Sequence, residues 1–369
     1  MLSWQKGNQP DNMKSKQSLQ VGVLGCGPIA QFAHFEACQK GKNVELYAIC
    51  DAAEDLLQRM NAIWQPTKHY ATYEAMLNDP QVDAIIIAVS DAFHVPAAVQ
   101  AVKAGKHVLV EKPLSHSIEE CQELMETAKQ ASVLVQVAHM KRFDPGIEFA
   151  RSFIREKMGD LLALKAWYGD STHRYAMTDN VQPLPIRSKY ALKPNFDEKA
   201  NLERYYMMAH GSHLIDTANF LGGTIGSVRA RLRKKFGAYC WFVDTEFTNG
   251  ALGHLDLTIK VRMDWHEGFQ IYGEKGSVLG KTYNPWFYKS SDVECFSEED
   301  QQYHRPLGAD GFSYRRQLEH FADCILHQTP HQGTSLLEGL ETVKGMIAIH
   351  RSVQSGKTIY LDDLKTGAL

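Results

Sequence analysis

Short apolar runs rich in β-branched residues alternate with helical segments from about residue 20 to residue 140 of this 369-residue chain. The run VDAIIIAVS (82–90) is almost uniformly apolar, which is typical of a central parallel strand covered on both faces. Repeated strand–helix order predicts βαβ units and hence a doubly wound parallel sheet of the Rossmann type. Such sheets bind ligands at the carboxyl ends of their strands, so the residues there are candidate site residues.

The pattern changes near residue 143, where we place a domain boundary. Residues 171–203 show no clear periodicity, strand-like runs dominate from about 225 to 289, and the chain ends in helical segments. We therefore predict an α/β protein in three parts: a polar N-terminal arm, a Rossmann domain, and an α+β domain with a large, mostly antiparallel open sheet. These parts span residues 1–19, 20–143 and 144–369.

The composition excludes several classes of partner. With a formal net charge of −3 and a pI near 6.6, the chain has no basic stripe for nucleic acid. No apolar run approaches the roughly 18 residues of a membrane span, and the N-terminus lacks the apolar middle of a secretory signal. The seven cysteines include no C-x-x-C pair, which favours free thiols in a reducing compartment. We therefore expect a cytoplasmic protein without a nucleic-acid or membrane partner.

A glycine-rich turn follows the first predicted strand. Gly25-Cys26-Gly27-Pro28-Ile29-Ala30 has the form G-x-G-x-x-A, and a helical pattern comes directly after it. The first glycine permits the tight turn, the second lets the backbone approach a diphosphate, and Ala30 allows close packing of helix on strand. A plain tight turn is the alternative, but the strand–helix–strand order around it favours a dinucleotide site.

Asp51 ends the second predicted strand. An acid at this position accepts hydrogen bonds from the adenosine ribose hydroxyls and repels a 2′-phosphate. The following Ala52 and Ala53 offer no arginine to hold that phosphate, which favours NAD over NADP as the cofactor. A helix N-cap is the ordinary alternative role for this aspartate.

Lys112 lies in the tripeptide Glu111-Lys112-Pro113, at the carboxyl end of a predicted strand. Its ammonium would orient a substrate hydroxyl and stabilise developing alkoxide charge. A surface lysine before a turn is the alternative.

His213 lies in the segment HGSHLID (210–216), at the start of a predicted helix. Histidine titrates near neutrality, so this side chain would take the hydroxyl proton while hydride leaves the same carbon. A capping or packing histidine is the alternative. His210, His213 and Asp216 lack further ligands at metal spacing, so we predict no metal.

Together these motifs resemble the Gfo/Idh/MocA family, which includes glucose–fructose oxidoreductase and inositol dehydrogenase. The segments that carry the resemblance run from about residue 20 to the end of the chain: GVLGCGPIA, AIIIAVSDAFHVPAAVQAVKAGKHVLVEKPLS, HMKRFDPG, HGSHLIDTANFLGG, YGEKGSV and LEGLETVKGMIAIHRS. The resemblance implies a Rossmann domain that binds NAD and a second domain that binds substrate. The open sheet of the second domain commonly forms subunit contacts, which implies a homodimer or homotetramer.

The resemblance also assigns roles to particular residues. It implies that Lys112 is the catalytic lysine of the E-K-P motif and that His213 is the histidine close to the reacting hydroxyl. It implies cofactor contacts beyond the glycine turn and Asp51, at Ser90, His94, Glu111, Lys112 and Arg142.

One position departs from the family pattern. Many family dehydrogenases carry an aspartate four residues before the motif histidine, where this chain has Ala209. His210, Tyr206 or a residue of the 171–203 loop would then fill the gap, which makes His210 a third candidate catalytic residue. The residues that we expect to contact substrate are Lys112, Arg142, Tyr168, His173, Tyr206, His210 and His213.

The sequence thus predicts an NAD-dependent oxidoreductase that acts on a secondary hydroxyl of a sugar or glycoside, with a 3-keto product as one form of the reaction. An inositol dehydrogenase is the alternative within the same class. A non-catalytic NAD(H)-binding regulator is an alternative of another class, and a metal-assisted lyase is a third.

Overall fold

A computed structural model describes residues 17–173, 181–195, 197, 199–308 and 310–369. Most of the predicted N-terminal arm, up to residue 16, lies outside the described residues. The chain forms two compact units: residues up to 139 with 184–197 and 314–339, and residues 140–183 with 198–313 and 340–369. The single domain boundary predicted near residue 143 leaves out residues 184–197 and 314–339, which come later in the chain but belong to the first unit.

The first unit contains a parallel sheet. Its strands are β1 (Leu19–Leu24), β2 (Val44–Cys50), β3 (Lys68–Tyr70), β4 (Ala84–Ile87), β5 (His107–Glu111) and β6 (Val135–Ala138). Within the part of the chain that the structure describes, they form a six-stranded sheet in the order β3-β2-β1-β4-β5-β6, with every neighbouring pair parallel. The predicted Rossmann-type sheet is confirmed. The order reverses between β1 and β4, and ligands of open α/β sheets bind at such a point.

Helices connect these strands. A π-helical turn (Ala30–His34) leads into α1 (Phe35–Lys40), and it is followed along the chain by α2 (Glu54–Trp64), α3 (Tyr73–Leu77), α4 (His94–Lys103) and α5 (Ile118–Lys129). The Ser117 hydroxyl caps α5 by accepting from the backbone N–H of Glu120 at 3.4 Å. Apolar residues on one side of each crossover helix pack on the sheet and complete the core of this unit.

The second unit is built on a larger sheet. Its strands are β7 (Leu161–Ser171), β8 (Ile225–Lys235), β9 (Ala238–Phe247), β10 (Leu252–Val261), β11 (His266–Gly273), β12 (Gly276–Thr282), β13 (Asp292–Ser297), β14 (Gln302–His304) and β15 (Ile359–Tyr360). In the described residues this sheet has nine strands in the order β14-β13-β12-β11-β7-β10-β9-β8-β15. Among these described strands only β7 and β10 pair in parallel, so the prediction of a mostly antiparallel sheet is confirmed.

Side chains alternate across this sheet with the period of two that strands impose. Along β7, Leu164, Ala166 and Tyr168 are buried, whereas Lys165 between them is exposed. The buried face therefore receives Tyr168 and, two residues further on, Asp170. This register brings polar side chains onto the inner face near the end of β7.

The helices of the second unit begin with α6 (Pro145–Lys157), which Asp144 caps by accepting from the backbone N–H groups of Gly146 and Ile147. Next come α7 (Leu202–Tyr206), a π-helical turn (Met207–Gly211) and α8 (Ser212–Gly222). Later in the chain, α9 (Ser313–Leu326) belongs from residue 314 to the first unit, and α10 (Leu336–Ser355) belongs from residue 340 to the second. None of the helices among the described residues combines the length and apolar character needed to cross a membrane.

Candidate active site

The glycine turn between β1 and the first helix has the backbone that a dinucleotide site requires. Gly25 has φ of +94°, and a Cβ there would lie 2.7 Å from the carbonyl oxygen of Ala88, so no other residue fits. A Cβ on Gly27 would meet no atom within 4 Å, which leaves space for a ligand to approach the backbone. Ala30 is fully buried. Pro28 and Ile29 are half-buried at the start of the helix, whose N–H groups favour an anion.

Asp51 fastens this turn to the end of β2. Its Oδ2 accepts from the backbone N–H of Cys26 at 2.8 Å, and its Oδ1 accepts from that of Ala53 at 2.8 Å. The N-cap residue of α2 is Ala53, so Asp51 does not fill the capping role that was its alternative. The remaining lone pairs of the carboxylate stay available to ribose hydroxyls.

The Cys26 thiol within the turn is unreactive because it stays protonated. Burial raises its pKa, and the negative charge of Asp51 raises it further, so the thiolate does not form near neutral pH. All seven cysteines are free, and six of them are buried.

Glu111, before Lys112, is held by a histidine that the sequence reasoning did not single out. His34 lies in the π-helical turn, and its Nε2 is 2.9 Å from Oε1 of Glu111. Both side chains are buried. Burial by itself would raise the pKa of Glu111, but the hydrogen bond and charge of His34, with the charge of Lys112, hold it below its ordinary value.

Lys112 stands half-buried after this anchored glutamate, at the carboxyl edge of β5. Its backbone N–H donates to Oε2 of Glu111 at 3.1 Å, and its peptide bond to Pro113 is cis. The buried pair therefore fixes the backbone from which the Lys112 ammonium extends.

Ser90 lies in the connection from β4 to α4, and His94 is the first residue of α4. His94 is buried, with Nδ1 2.8 Å from the carbonyl oxygen of Pro113 and Nε2 3.1 Å from that of Val89. Ser90 precedes the short 3-10 turn that leads into α4 and is half-buried. His94 thus joins the ends of β4 and β5 at the edge where ligands of such a sheet bind.

In the second unit, His210 and Tyr168 form a buried polar cluster with Asp170. The Tyr168 hydroxyl lies 3.3 Å from Nδ1 of His210, and Oδ2 of Asp170 lies 3.5 Å from Nε2 of the same ring. Asp170 was not predicted as a site residue, although it shares a face of β7 with Tyr168 by the two-residue period.

His213 completes this cluster. Its ring stacks on that of Tyr168, with an interplanar angle of 4° and centroids 6.1 Å apart. His213 is partly exposed, whereas His210 is 6% exposed. Of the two histidines, His213 is therefore the one that a substrate can reach directly.

A second buried pair supports Tyr168. Lys141 and Glu267 form an ion pair, and the Lys141 ammonium lies 4.4 Å from the centroid of the Tyr168 ring. Burial raises the pKa of Glu267, which the charge of Lys141 opposes. Neither residue was predicted as a site residue. Glu267 lies opposite Tyr168 because β11 pairs with β7, and the sequence alone does not give the register of that pairing.

The other predicted residues of this unit have definite positions. Arg142 is buried against Asp216, with Nη2 to Oδ1 at 2.7 Å, and so secures α8. Tyr206 is buried with its ring centroid 6.0 Å from that of His210. His173 is exposed just beyond the end of β7. Among the residues that the structure covers, no three His, Cys, Asp or Glu side chains are arranged to hold a metal ion.

Two domain profiles of one family match the chain. The oxidoreductase family's NAD-binding Rossmann fold matches residues 19–139, and its C-terminal alpha/beta domain matches residues 206–361. The chain belongs to the Gfo/Idh/MocA oxidoreductase family. It is therefore an oxidoreductase whose cofactor is NAD, and the prediction from the sequence is confirmed to this extent.

Two relatives within the Gfo/Idh/MocA family are about a quarter identical to this chain over the aligned residues. Myo-inositol 2-dehydrogenase of Thermotoga maritima is 25% identical over 269 residues, which cover 71% of this chain and 75% of that protein. Inositol 2-dehydrogenase 2 of Saccharopolyspora erythraea is 26% identical over 270 residues, covering 71% and 73%.

A solved structure of levoglucosan dehydrogenase with NADH and levoglucosan has a TM-score of 0.76 to this chain, at 18% identity, and covers 94% of this chain and 99% of its own. At that identity the likeness concerns the fold.

Asp51 gives a test of cofactor choice in this Gfo/Idh/MocA protein. We expect Asp51→Ala to weaken NAD binding, because the carboxylate also holds the glycine turn, and to shift the ratio of NAD to NADP affinity towards NADP by about tenfold. Titrating both cofactors by fluorescence measures the ratio. Asp51→Asn, which keeps the shape and removes the charge, is the matched control. An unchanged ratio in both variants would remove the ribose role from Asp51.

Proposed function

We propose that this protein oxidises a secondary hydroxyl of a sugar or glycoside, or reduces the corresponding ketone, with NAD as the cofactor. The observation that carries the proposal is the position of His213, which is partly exposed and is stacked on a tyrosine at the edge of a buried His–Asp cluster. A positioned base of this kind is what removal of an alcohol proton requires.

In this proposal His213 accepts the proton of the reacting hydroxyl. His210 lies behind it with Asp170 and Tyr168, and these groups would hold the cluster in one hydrogen-bonding arrangement. Lys112 would donate to the same substrate oxygen and stabilise the negative charge that grows there. When bound, NAD supplies the acceptor for the hydrogen and electron pair of the carbinol carbon.

Aromatic side chains around the cluster favour a ring-shaped, hydroxyl-rich substrate. The ring of Trp265 packs edge-on against Tyr168 at 5.1 Å between centroids, and Trp265 is partly exposed. Aromatic faces suit the C–H faces of sugar rings, while the neighbouring polar groups suit hydroxyls. A cyclic polyol such as an inositol is the second candidate, which the names of the two inositol dehydrogenase relatives favour.

A substrate panel separates these candidates. The purified protein would be incubated with NAD and a series of monosaccharides, glycosides and inositols, and NADH would be followed by absorbance. We expect turnover with at least one sugar or glycoside, identified by mass spectrometry of the keto product. Turnover confined to inositols would replace the first candidate by the second, and tight NADH binding without turnover on any alcohol would favour a regulatory protein.

We propose in addition that residues 20–143 serve mainly the cofactor and residues 144–369 mainly the substrate and subunit contacts. Free cysteines favour a cytoplasmic location. The outward face of the larger sheet carries exposed Phe242 and Tyr272, which favours assembly into a homodimer or homotetramer through that face.

A further inference from the structure

The loop segment 184–190 is tied to the glycine turn of the first unit. Ile186 N–H donates to Oε1 of Gln31 at 2.9 Å, and Nε2 of Gln31 donates to the Ile186 carbonyl at 2.8 Å. The carboxamide thus pairs with both backbone groups of Ile186, as a neighbouring strand would. The same Nε2 donates to the Cys26 carbonyl at 2.8 Å. One side chain therefore joins the loop to the turn that receives the cofactor diphosphate.

A second contact holds the loop two residues later. Ser188 Oγ donates to Oδ1 of Asp55 at 2.6 Å, and the Tyr190 N–H donates to Ser188 Oγ at 3.0 Å. Asp55 lies in the first turn of α2, directly after the segment that begins with Asp51. Both contacts join residues far apart in sequence, so local backbone preference does not account for them.

The two anchors join this loop to the two elements that we expect to bind the adenosine part of NAD, which are the glycine turn and the segment after β2. Ile186 and Ser188 are two residues apart, so their Cα atoms are separated by about 7 Å at most. Gln31 contacts the glycine turn, which would receive the diphosphate, and Asp55 lies in the first turn of α2, four residues after Asp51, which would bind the ribose. Residues 186–188 therefore run from a contact beside the glycine turn to a contact beside the segment that begins with Asp51, the two elements expected to bind the adenosine diphosphate part of NAD.

The residue between the anchors is a cation. Arg187 is exposed, and within the ranges that the structure describes it has no acidic partner. A guanidinium so placed suits the anionic diphosphate, which it can bind through two hydrogen bonds.

We propose that residues 186–188 form a strap across the adenosine diphosphate part of bound NAD(H), with Arg187 as its cation, and that the strap slows cofactor release. This inference rests on NAD binding and is independent of which alcohol is oxidised.

The strap is tested by the rate of NADH dissociation, measured by stopped-flow fluorescence in the absence of substrate. The double variant Ile186→Pro/Ser188→Ala breaks both contacts. Proline has no backbone N–H to donate to Gln31 Oε1, and alanine has no hydroxyl to donate to Asp55. We expect NADH release to become at least tenfold faster, because each lost hydrogen bond is worth a few-fold in the rate. Arg187→Gln should speed release by about threefold or more, with a weaker dependence on salt.

Leu184→Ala is the matched control, because Leu184 lies in the same loop and its side chain is 72% exposed. Its release rate should equal that of the wild type. ADP-ribose, which lacks the nicotinamide half, should lose affinity in the double variant by a factor similar to that for NADH. Release within twofold of the wild-type rate in a folded double variant, or unchanged ADP-ribose affinity, would overturn the strap. A wild-type protein that binds no NADH would instead overturn the cofactor assignment.

Discussion

Replacing Lys112 or His213 by alanine should each lower kcat by about two orders of magnitude or more, equivalent to about 2.7 kcal/mol of transition-state stabilisation. In the proposed reaction Lys112 would supply the cation for the developing alkoxide, and His213 would take the proton. The dissociation constant of NADH should change little in His213→Ala, because His213 acts on the substrate. Steady-state kinetics on the active substrate of the panel, with NADH titration, measures both quantities.

Two surface residues provide controls for these variants. Lys129→Ala and His327→Ala remove exposed side chains of the same chemical types, and we expect wild-type turnover from both. Added imidazole should restore part of the activity of His213→Ala, because it can enter the space left by the missing ring and act as the base. Turnover within threefold of wild type in both Lys112→Ala and His213→Ala would contradict the site assignment.

Replacing His34 by alanine should lower the free energy of unfolding by about 3 kcal/mol at pH 7 to 8, because it leaves the Glu111 carboxylate buried without its partner. Urea denaturation followed by circular dichroism measures the loss. Lys40→Ala breaks an exposed pair with Glu36 and should cost no more than about 0.5 kcal/mol. The double variant His34→Leu/Glu111→Met, which removes both polar groups, should recover most of the stability.

The effect of pH on this variant follows from Glu111. In the native protein the pKa of Glu111 is held low, so its contribution to stability is present above the ordinary glutamate pKa and is lost as pH falls below it. Without His34, we expect burial to raise the pKa of Glu111. The protonated carboxyl then costs little stability, whereas the carboxylate that forms as pH rises destabilises the folded protein. The deficit of His34→Ala should therefore shrink as pH is lowered from 8 to 5. A deficit independent of pH would show that His34 acts by packing alone.

Much of the first unit could be predicted from the sequence because its central strands are buried on both faces. The apolar run that contains Ala84–Ile87 and the glycine turn at Gly25 are local signals. The three-residue strand β3 was missed because Lys-His-Tyr has no apolar pattern. Its pairing with β2 depends on the rest of the sheet.

The residues around the candidate histidines were harder to predict, since they meet through long-range register. Asp170 has a local signal, as it follows Tyr168 at the strand period on a buried face. Glu267 and Lys141 have none, because their partnership depends on the pairing of β7 with β11 and on the position of the turn before α6. The inclusion of residues 184–197 in the first unit likewise depends on Gln31, a side chain with no motif of its own.

The central claim is that this protein transfers the carbinol hydrogen of a sugar or polyol directly to NAD. The most direct measurement uses the active alcohol of the panel with deuterium on the reacting carbon and determines the mass of the NADH formed. We expect each NADH to carry one deuterium and His213→Ala to form the same labelled product more slowly. NADH without deuterium from a fully labelled carbinol, or the absence of NADH with every alcohol tested, would contradict it.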